Sequence, residues 1–168
     1  MTRSQITSSQ LRHNPLGQRR GMTIVWMVIF ITVMFAFAVM AIDIGWLRLM
    51  EGRALTGAEA GALGAANSLA TDRYAAADAA IEFAERNKGH GGAMITLVAG
   101  VDNAGGDLVF GRWDHQLRQF EPETLAPDAV RVSVNFRENH PNGEVELLLA
   151  EFLGIASSGL SSSVIAQA

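Results

Sequence analysis

An uncharged run of 21 residues near the N-terminus constrains this chain more than any other feature. It extends from Met22 to Ile42, and its only polar side chains are Thr23, Thr32 and the indole of Trp26. At about 1.5 Å per helical residue the run is ~31 Å long, which matches the hydrocarbon thickness of a bilayer. A soluble chain of 168 residues has too little other protein to cover such a helix on every side. The run therefore predicts a single membrane-spanning helix.

Charged residues are distributed unequally about this span. Residues 1–42 carry four arginines and no acid, whereas all seventeen acids lie from Asp43 onward, against nine lysines and arginines and hence a net charge of −8 there. Positively charged flanks stay in the cytoplasm, so the N-terminus is predicted to be inside and the acidic remainder exported. An acidic domain also argues against a nucleic-acid partner. Cysteine is absent, which excludes disulfides and thiolate metal sites.

A cleaved secretory signal is the alternative interpretation of the N-terminus. The tripeptide Ala36-Phe37-Ala38 has the small-x-small form that signal peptidase requires. The apolar run is longer, however, than the 7–15 residues or so of a signal-peptide core. An uncleaved anchor is the favoured prediction.

Four segments follow along the chain: a basic cytoplasmic tail over 1–21, the transmembrane helix over 22–42, an Ala-rich helical region over 43–92 and an exported β-rich region over 93–168. We predict an α+β fold. In it the long first helix continues into the Ala/Gly-rich region, and a second helix packs on a small antiparallel sheet.

The second helix is predicted from about Asp72 to Lys88, with Ser68 or Thr71 as its N-terminal cap. Gly89 then ends it. Before this helix, small residues recur four apart in the continuation of the span, and such a row lets another backbone approach closely. The row can pack on its own domain or form a seam with a partner helix. Its principal members are Ala54, Gly57, Ala58, Gly61 and Ala62.

The residues directly after the span have the pattern of a membrane interface. Trp46 can lie among lipid headgroups, and Arg48 can extend its charge towards water. Asp43 is an acid at the membrane boundary. It either ends the apolar span in water or pairs with a cation on a partner protein.

Short β-like runs follow from Met94. Four runs are expected to contribute to a sheet of three to five strands. The first two are joined by a turn over Asp102 to Gly106, and the third shows strict alternation of apolar and polar residues. Glu121–Asp128 is predicted as a loop, and Glu144–Leu153 as a short helix over the sheet edge or the membrane face. The four strands are Met94–Ala99, Leu108–Trp113, Ala129–Arg137 and Leu160–Ala166.

Sequence motifs for catalysis are lacking. There is no Gly-x-Ser-x-Gly, no phosphate-binding Gly-rich loop with lysine, and no helical histidine pair. Asp114 and His115 are adjacent, and neighbouring residues on a strand point to opposite faces. We therefore predict no enzyme activity, no cofactor, no metal and no small-molecule substrate. An anchored hydrolase would need His115 or His140 beside convergent carboxylates.

Several motifs in order resemble TadE/TadG-like proteins of tight-adherence (Flp) pilus assembly. The first block consists of Arg19-Arg20-Gly21, the spanning helix, Ile42-Asp43-Ile44-Gly45-Trp46-Leu47 and the Ala-rich Leu55–Ala66. The second consists of Phe110-Gly111-Arg112-Trp113-Asp114, Phe120 and Ala129-Val130-Arg131-Val132. The resemblance implies a structural, minor-pilin-like component in the bacterial inner membrane. Its implied partners are the lipid bilayer and other pilus-assembly membrane proteins or pilin subunits.

Two departures from the family pattern are visible. Related pseudopilins cleaved by prepilin peptidase carry Glu five residues after the glycine, whereas Trp26 stands at that offset from Gly21 and argues against processing there. The chain is also too short for the von Willebrand A-type domain of larger TadG-like proteins. The expectation is thus a short assembly protein. The alternative is an exported ligand- or cell-wall-binding domain on a generic membrane anchor.

Overall fold

The computed structural model describes residues 16–100, 106–123, 125–154 and 156–168. The chain divides into two compact units, residues 1–38 and 39–168. The predicted turn over Asp102 to Gly106 lies outside the described residues except for Gly106, and so does most of the predicted cytoplasmic tail.

The first unit contains the start of helix α1, which is Leu16–Leu69. The apolar side chains in this part of α1 are exposed. In the run from Met22 to Ile42, every residue except Val39 is exposed. A helix in a soluble core would bury most of these side chains. The segment is long and apolar enough to cross a membrane, and it is therefore a candidate anchor with a globular domain after it.

The second unit begins with the remainder of α1 and continues into helix α2, Arg73–Glu85. Asp72 caps α2 by accepting a hydrogen bond from the backbone N–H of Tyr74 at 3.2 Å. The predicted caps Ser68 and Thr71 were therefore wrong. The helix also ends three residues before the predicted Lys88.

A four-stranded antiparallel sheet follows, in the order β2-β1-β3-β6. The strands are β1 Leu108–Asp114, β2 Gln119–Pro122, β3 Ala129–Phe136 and β6 Leu160–Gln167. A separate two-stranded pair joins β4 Val145–Glu146 to β5 Ser157–Ser158. The α+β fold class is confirmed.

The predicted alternation in β3 is confirmed in side-chain burial. Val130, Val132, Val134 and Phe136 are buried, and the residues between them are half-buried. The same buried cluster contains four alanines of α2 and six residues of α1. The sheet and both helices of this unit therefore share one hydrophobic core.

Three predicted elements differ from the structure. Met94–Ala99 is not a strand of the sheet, because Thr96 and Val98 donate their backbone N–H groups to side chains, those of Asn142 and Asp107. The predicted loop Glu121–Asp128 begins inside β2. Glu144–Leu153 holds strand β4 and a single 3-10 turn, Ala150–Leu153, instead of a helix spanning the segment.

Candidate functional site

The residues predicted to serve the membrane and assembly lie along α1. Arg19, Arg20 and Gly21 belong to its first turns, and a Cβ placed at Gly21 would meet nothing within 4 Å. The others follow the apolar run, inside the second unit. We call Asp43, Trp46 and the backbone that they contact, residues 146–150, the junction site.

Asp43 is the centre of the junction site. Its side chain is 5% exposed, and its two carboxylate oxygens accept backbone N–H groups from three consecutive residues. Oδ1 accepts from Leu148 at 2.9 Å and from Leu149 at 3.1 Å, and Oδ2 accepts from Ala150 at 2.6 Å. Hydrogen bonds to an ionised acceptor are short and roughly twice as strong as neutral ones. One carboxylate thus binds the loop that leads into the 3-10 turn.

This arrangement corrects the prediction for Asp43. The carboxylate does not end the span in water, because it is buried against its own domain. A cation of a partner protein would have to displace the three backbone donors to reach it. The carboxylate therefore holds together segments about a hundred residues apart in the chain.

Trp46 extends the junction site by one turn of α1. Its indole Nε1 donates to the backbone carbonyl of Glu146 at 3.1 Å, and its ring makes a T-shaped contact with the ring of His90, with centroids 6.4 Å apart. Trp46 is half-buried, so part of its side chain packs on protein. Gly45 stands between the two anchoring residues with nothing near its Cβ position. Asp43 and Trp46 therefore fix α1 to the same loop.

The small-residue row is inside the domain. Ala54, Ala58 and Ala62 have no exposed surface. A Cβ at Gly61 would lie 3.1 Å from the carbonyl oxygen of Ala80 and 3.4 Å from Val132. A Cβ placed at Gly57 would lie 2.6 Å from Ile95. Of the two arrangements considered for this row, the structure has the one in which it packs on its own α2 and sheet.

A second buried polar cluster lies around Asp107 and His140. Nε2 of His140 is 3.0 Å from Oδ2 of Asp107, and Nδ1 of His140 accepts the N–H of Asn142 at 3.2 Å. Asp107 also accepts from the N–H of Val98 and from the side chain of Asn135. Because Nδ1 accepts a hydrogen bond, Nε2 carries the hydrogen and donates a hydrogen bond to the Asp107 carboxylate.

This cluster bears on the hydrolase alternative. His140 does lie beside a carboxylate, but it is a single one, and both ring nitrogens are occupied by protein groups. The side chains of His140 and Asp107 are 3% and 2% exposed, so no substrate atom can reach them in this conformation. Sequence reasoning missed the pair because the two residues lie 33 positions apart. Its role is to connect the 95–98 segment to the sheet.

Gly111 explains one motif of the β region. A Cβ there would lie 2.3 Å from the carbonyl oxygen of Glu121 and 2.5 Å from Cζ of Phe120. Phe120 in turn lies under the guanidinium of Arg131 at 5.2 Å. The glycine therefore permits the close approach of β2 to β1. The residues described contain no group of three or more His, Cys, Asp or Glu able to hold a metal ion.

Comparison with protein families gives one match. A family model described as "putative Tad-like Flp pilus-assembly" matches residues 60–166, more than half of the chain. Members of this family are components of pilus assembly, and the family is not an enzyme family. Comparison with curated proteins and with solved structures gives no match.

Proposed function

Because the chain belongs to the Tad-like Flp pilus-assembly family, we propose that it is a single-pass, minor-pilin-like subunit of a tight-adherence pilus. Its apolar segment Met22–Ile42 holds it in the bacterial inner membrane, and residues 43–168 are exported. The family match supports the pilus role, and the exposed apolar segment supports the anchor. The arginines before the span support a cytoplasmic N-terminus.

The contribution of the junction site is mechanical. Asp43 is the first charged residue after the apolar run, and it is bonded to the backbone of Leu148 and Ala150. Force applied to the exported domain is therefore transmitted to α1 through three charge-assisted hydrogen bonds as well as through the peptide chain. In the proposed subunit the domain keeps one orientation on the part of α1 that leaves the span. The residues Arg19, Arg20 and Gly21 act before the span, as its cytoplasmic flank.

The proposed partners are the bilayer and other pilus subunits. The small-residue row contributes inside the subunit, since its members pack against α2 and the sheet. The proposal includes no catalytic step, and the closed Asp107–His140 pair is consistent with a structural role.

Topology and pilus formation test the proposal together. A periplasm-active phosphatase fused after Ala168 is expected to be active, and the same enzyme fused before Met1 inactive. Deletion of the gene is expected to remove surface Flp pili, and the full-length chain to restore them. An active N-terminal fusion, or normal pili in the deletion strain, would refute the proposed role. A gene neighbourhood without a secretion ATPase and pilin genes would favour the alternative, a cell-wall-binding domain on a generic anchor.

A further inference from the structure

Strand β6 has a free edge whose geometry follows from the hydrogen-bond pattern of the sheet. Ala168 donates its N–H to the carbonyl of Asp128 at 2.9 Å, which continues the β3–β6 register by one position. On the other side of β3, Ser133 donates to the carbonyl of Asp107 at 2.8 Å. In an antiparallel pair, every second residue of a strand bonds to the neighbouring strand. Both bonds indicate that the even-numbered residues of β3 bond to β6 and the odd-numbered residues of β3 bond to β1. The even-numbered residues of β6 therefore bond to β3.

The odd-numbered residues of β6 direct their backbone groups away from the sheet. These residues are Ser161, Ser163, Ile165 and Gln167, and all four are exposed. No strand among the described residues pairs with this side of β6. Four N–H groups and four carbonyls thus form an open ladder along a strand roughly 27 Å long.

The two edges of the sheet differ in how they are protected. The opposite edge, β2, has four residues and includes Glu121 and Pro122, with Glu123 next. Short length, charge and proline are the devices that prevent an edge from pairing with another chain. β6 has eight residues, with neither a charged side chain nor proline nor glycine, and positions 152–168 carry no charged side chain. The β2 edge is therefore protected against pairing by its sequence, whereas the β6 edge is not.

The side chains of β6 also lack full cover. Leu160, Val164 and Ala166 face the core but are only partly buried. In β3, the next strand inwards, the corresponding side chains are buried completely or almost so. A further strand beside β6 would cover this apolar row and extend the core across the new pair.

We infer that the free edge of β6 pairs with β6 of a second copy of this chain, in antiparallel orientation about a twofold axis at Val164. In that register Ser161 lies opposite Gln167 of the second copy, and Ser163 opposite Ile165 of the second copy. Every outward N–H and carbonyl then has a partner, with about eight hydrogen bonds across the axis. Residues 43–168 carry a net charge of −8, and β6 is a neutral strand along which two such domains can meet without like charges in contact.

A single spin label tests the pairing, since the chain has no cysteine of its own. The full-length Ser163→Cys variant, labelled with a nitroxide in detergent micelles, is expected to show strong dipolar broadening. In the proposed register the two labelled Cα atoms are diagonal neighbours about 7–8 Å apart. The matched control is Gln119→Cys on the protected β2 edge, for which no broadening is expected.

A second substitution makes the test specific for the edge. Ile165→Lys in the labelled chain leaves the bonds to β3 in place and sets two cations diagonally across the axis. It is expected to weaken the dimer at least tenfold and to remove the broadening. Broadening that survives Ile165→Lys would overturn the proposal, as would a dimer in light scattering without broadening, or a monomer at all concentrations. Immobilisation of the label only after other pilus subunits are added would assign the edge to a foreign strand and also overturn it. Pilus counts do not enter this measurement, so its failure leaves the proposed function intact.

Discussion

Replacing Asp43 with asparagine should release the loop at residues 148–150 without unfolding the domain. The carboxylate accepts three backbone N–H groups, two through Oδ1 and a third through Oδ2. Asparagine has one acceptor oxygen, and its NH₂ group would face the N–H of either Leu148 or Ala150. At least one charge-assisted hydrogen bond is lost, at about 1.5–3 kcal/mol. Leu148 is 53% exposed, so water compensates in part, and we expect a cost of about 2 kcal/mol.

Hydrogen exchange measures this cost locally. A loss of about 2 kcal/mol corresponds to roughly 30-fold faster exchange of the amides in peptides that cover Leu148 to Ala150. The full-length chain in micelles is suitable, and Asp78→Asn is the matched control. Asp78 is exposed on α2 and has no hydrogen bond or ion pair among the described residues, so its substitution should change nothing beyond about 0.5 kcal/mol. Equal exchange in wild type and Asp43→Asn would refute the carboxylate's role, as would an equal effect of the control.

Three further predictions concern the free energy of unfolding. Trp46→Phe removes the bond from the indole to the carbonyl of Glu146 and should cost about 1 kcal/mol in thermal melts; no change would show that water replaces this bond. Gly61→Leu should cost roughly 1–3 kcal/mol, because the new side chain would meet the nearby carbonyl of α2. Gly52→Ala has open space around it and should stabilise the helix by up to about 1 kcal/mol. A stabilising Gly61→Leu together with a destabilising Gly52→Ala would contradict the packing. Asp107→Ala leaves three donors without an acceptor, one of them the buried His140, and should cost at least about 3 kcal/mol. A melting temperature within about 2 °C of wild type would contradict the role of this network.

Local patterns predicted those parts of the fold that depend on neighbouring residues. The alternation of valines in β3 gave the correct strand and the correct buried face, because side chains of a strand point alternately to its two sides. The second helix was located correctly and its cap incorrectly, because Ser68, Thr71 and Asp72 are all good caps and only the chain direction after Leu69 selects among them. The family resemblance, based on ordered motifs from Arg19 to Arg137, is confirmed by the family match.

Interactions between residues far apart in the chain could not be predicted from local patterns. Met94–Ala99 has the composition of a strand, but the amides of Thr96 and Val98 bond to the side chains of Asn142 and Asp107 instead of to a neighbouring strand. Asp43 was predicted either in water or paired with a cation of a partner protein, because nothing near it in sequence indicates that the amides of residues 148–150 bind it. A hydrogen-bond partner a hundred positions away leaves no periodic signal in the chain.

The amino-acid sequence by itself determined that this protein has an apolar segment of membrane-spanning length, a charge asymmetry about it, and an α+β domain after it. These properties depend on composition and short-range periodicity, which are properties of the linear chain. Only the tertiary structure decided that the small-residue row is internal packing, that Asp43 binds its own domain, and that one sheet edge is protected and the other open. The physical reason is that burial and hydrogen-bond partners depend on which distant segments come into contact. The sequence pattern of any one segment is compatible with several different contacts.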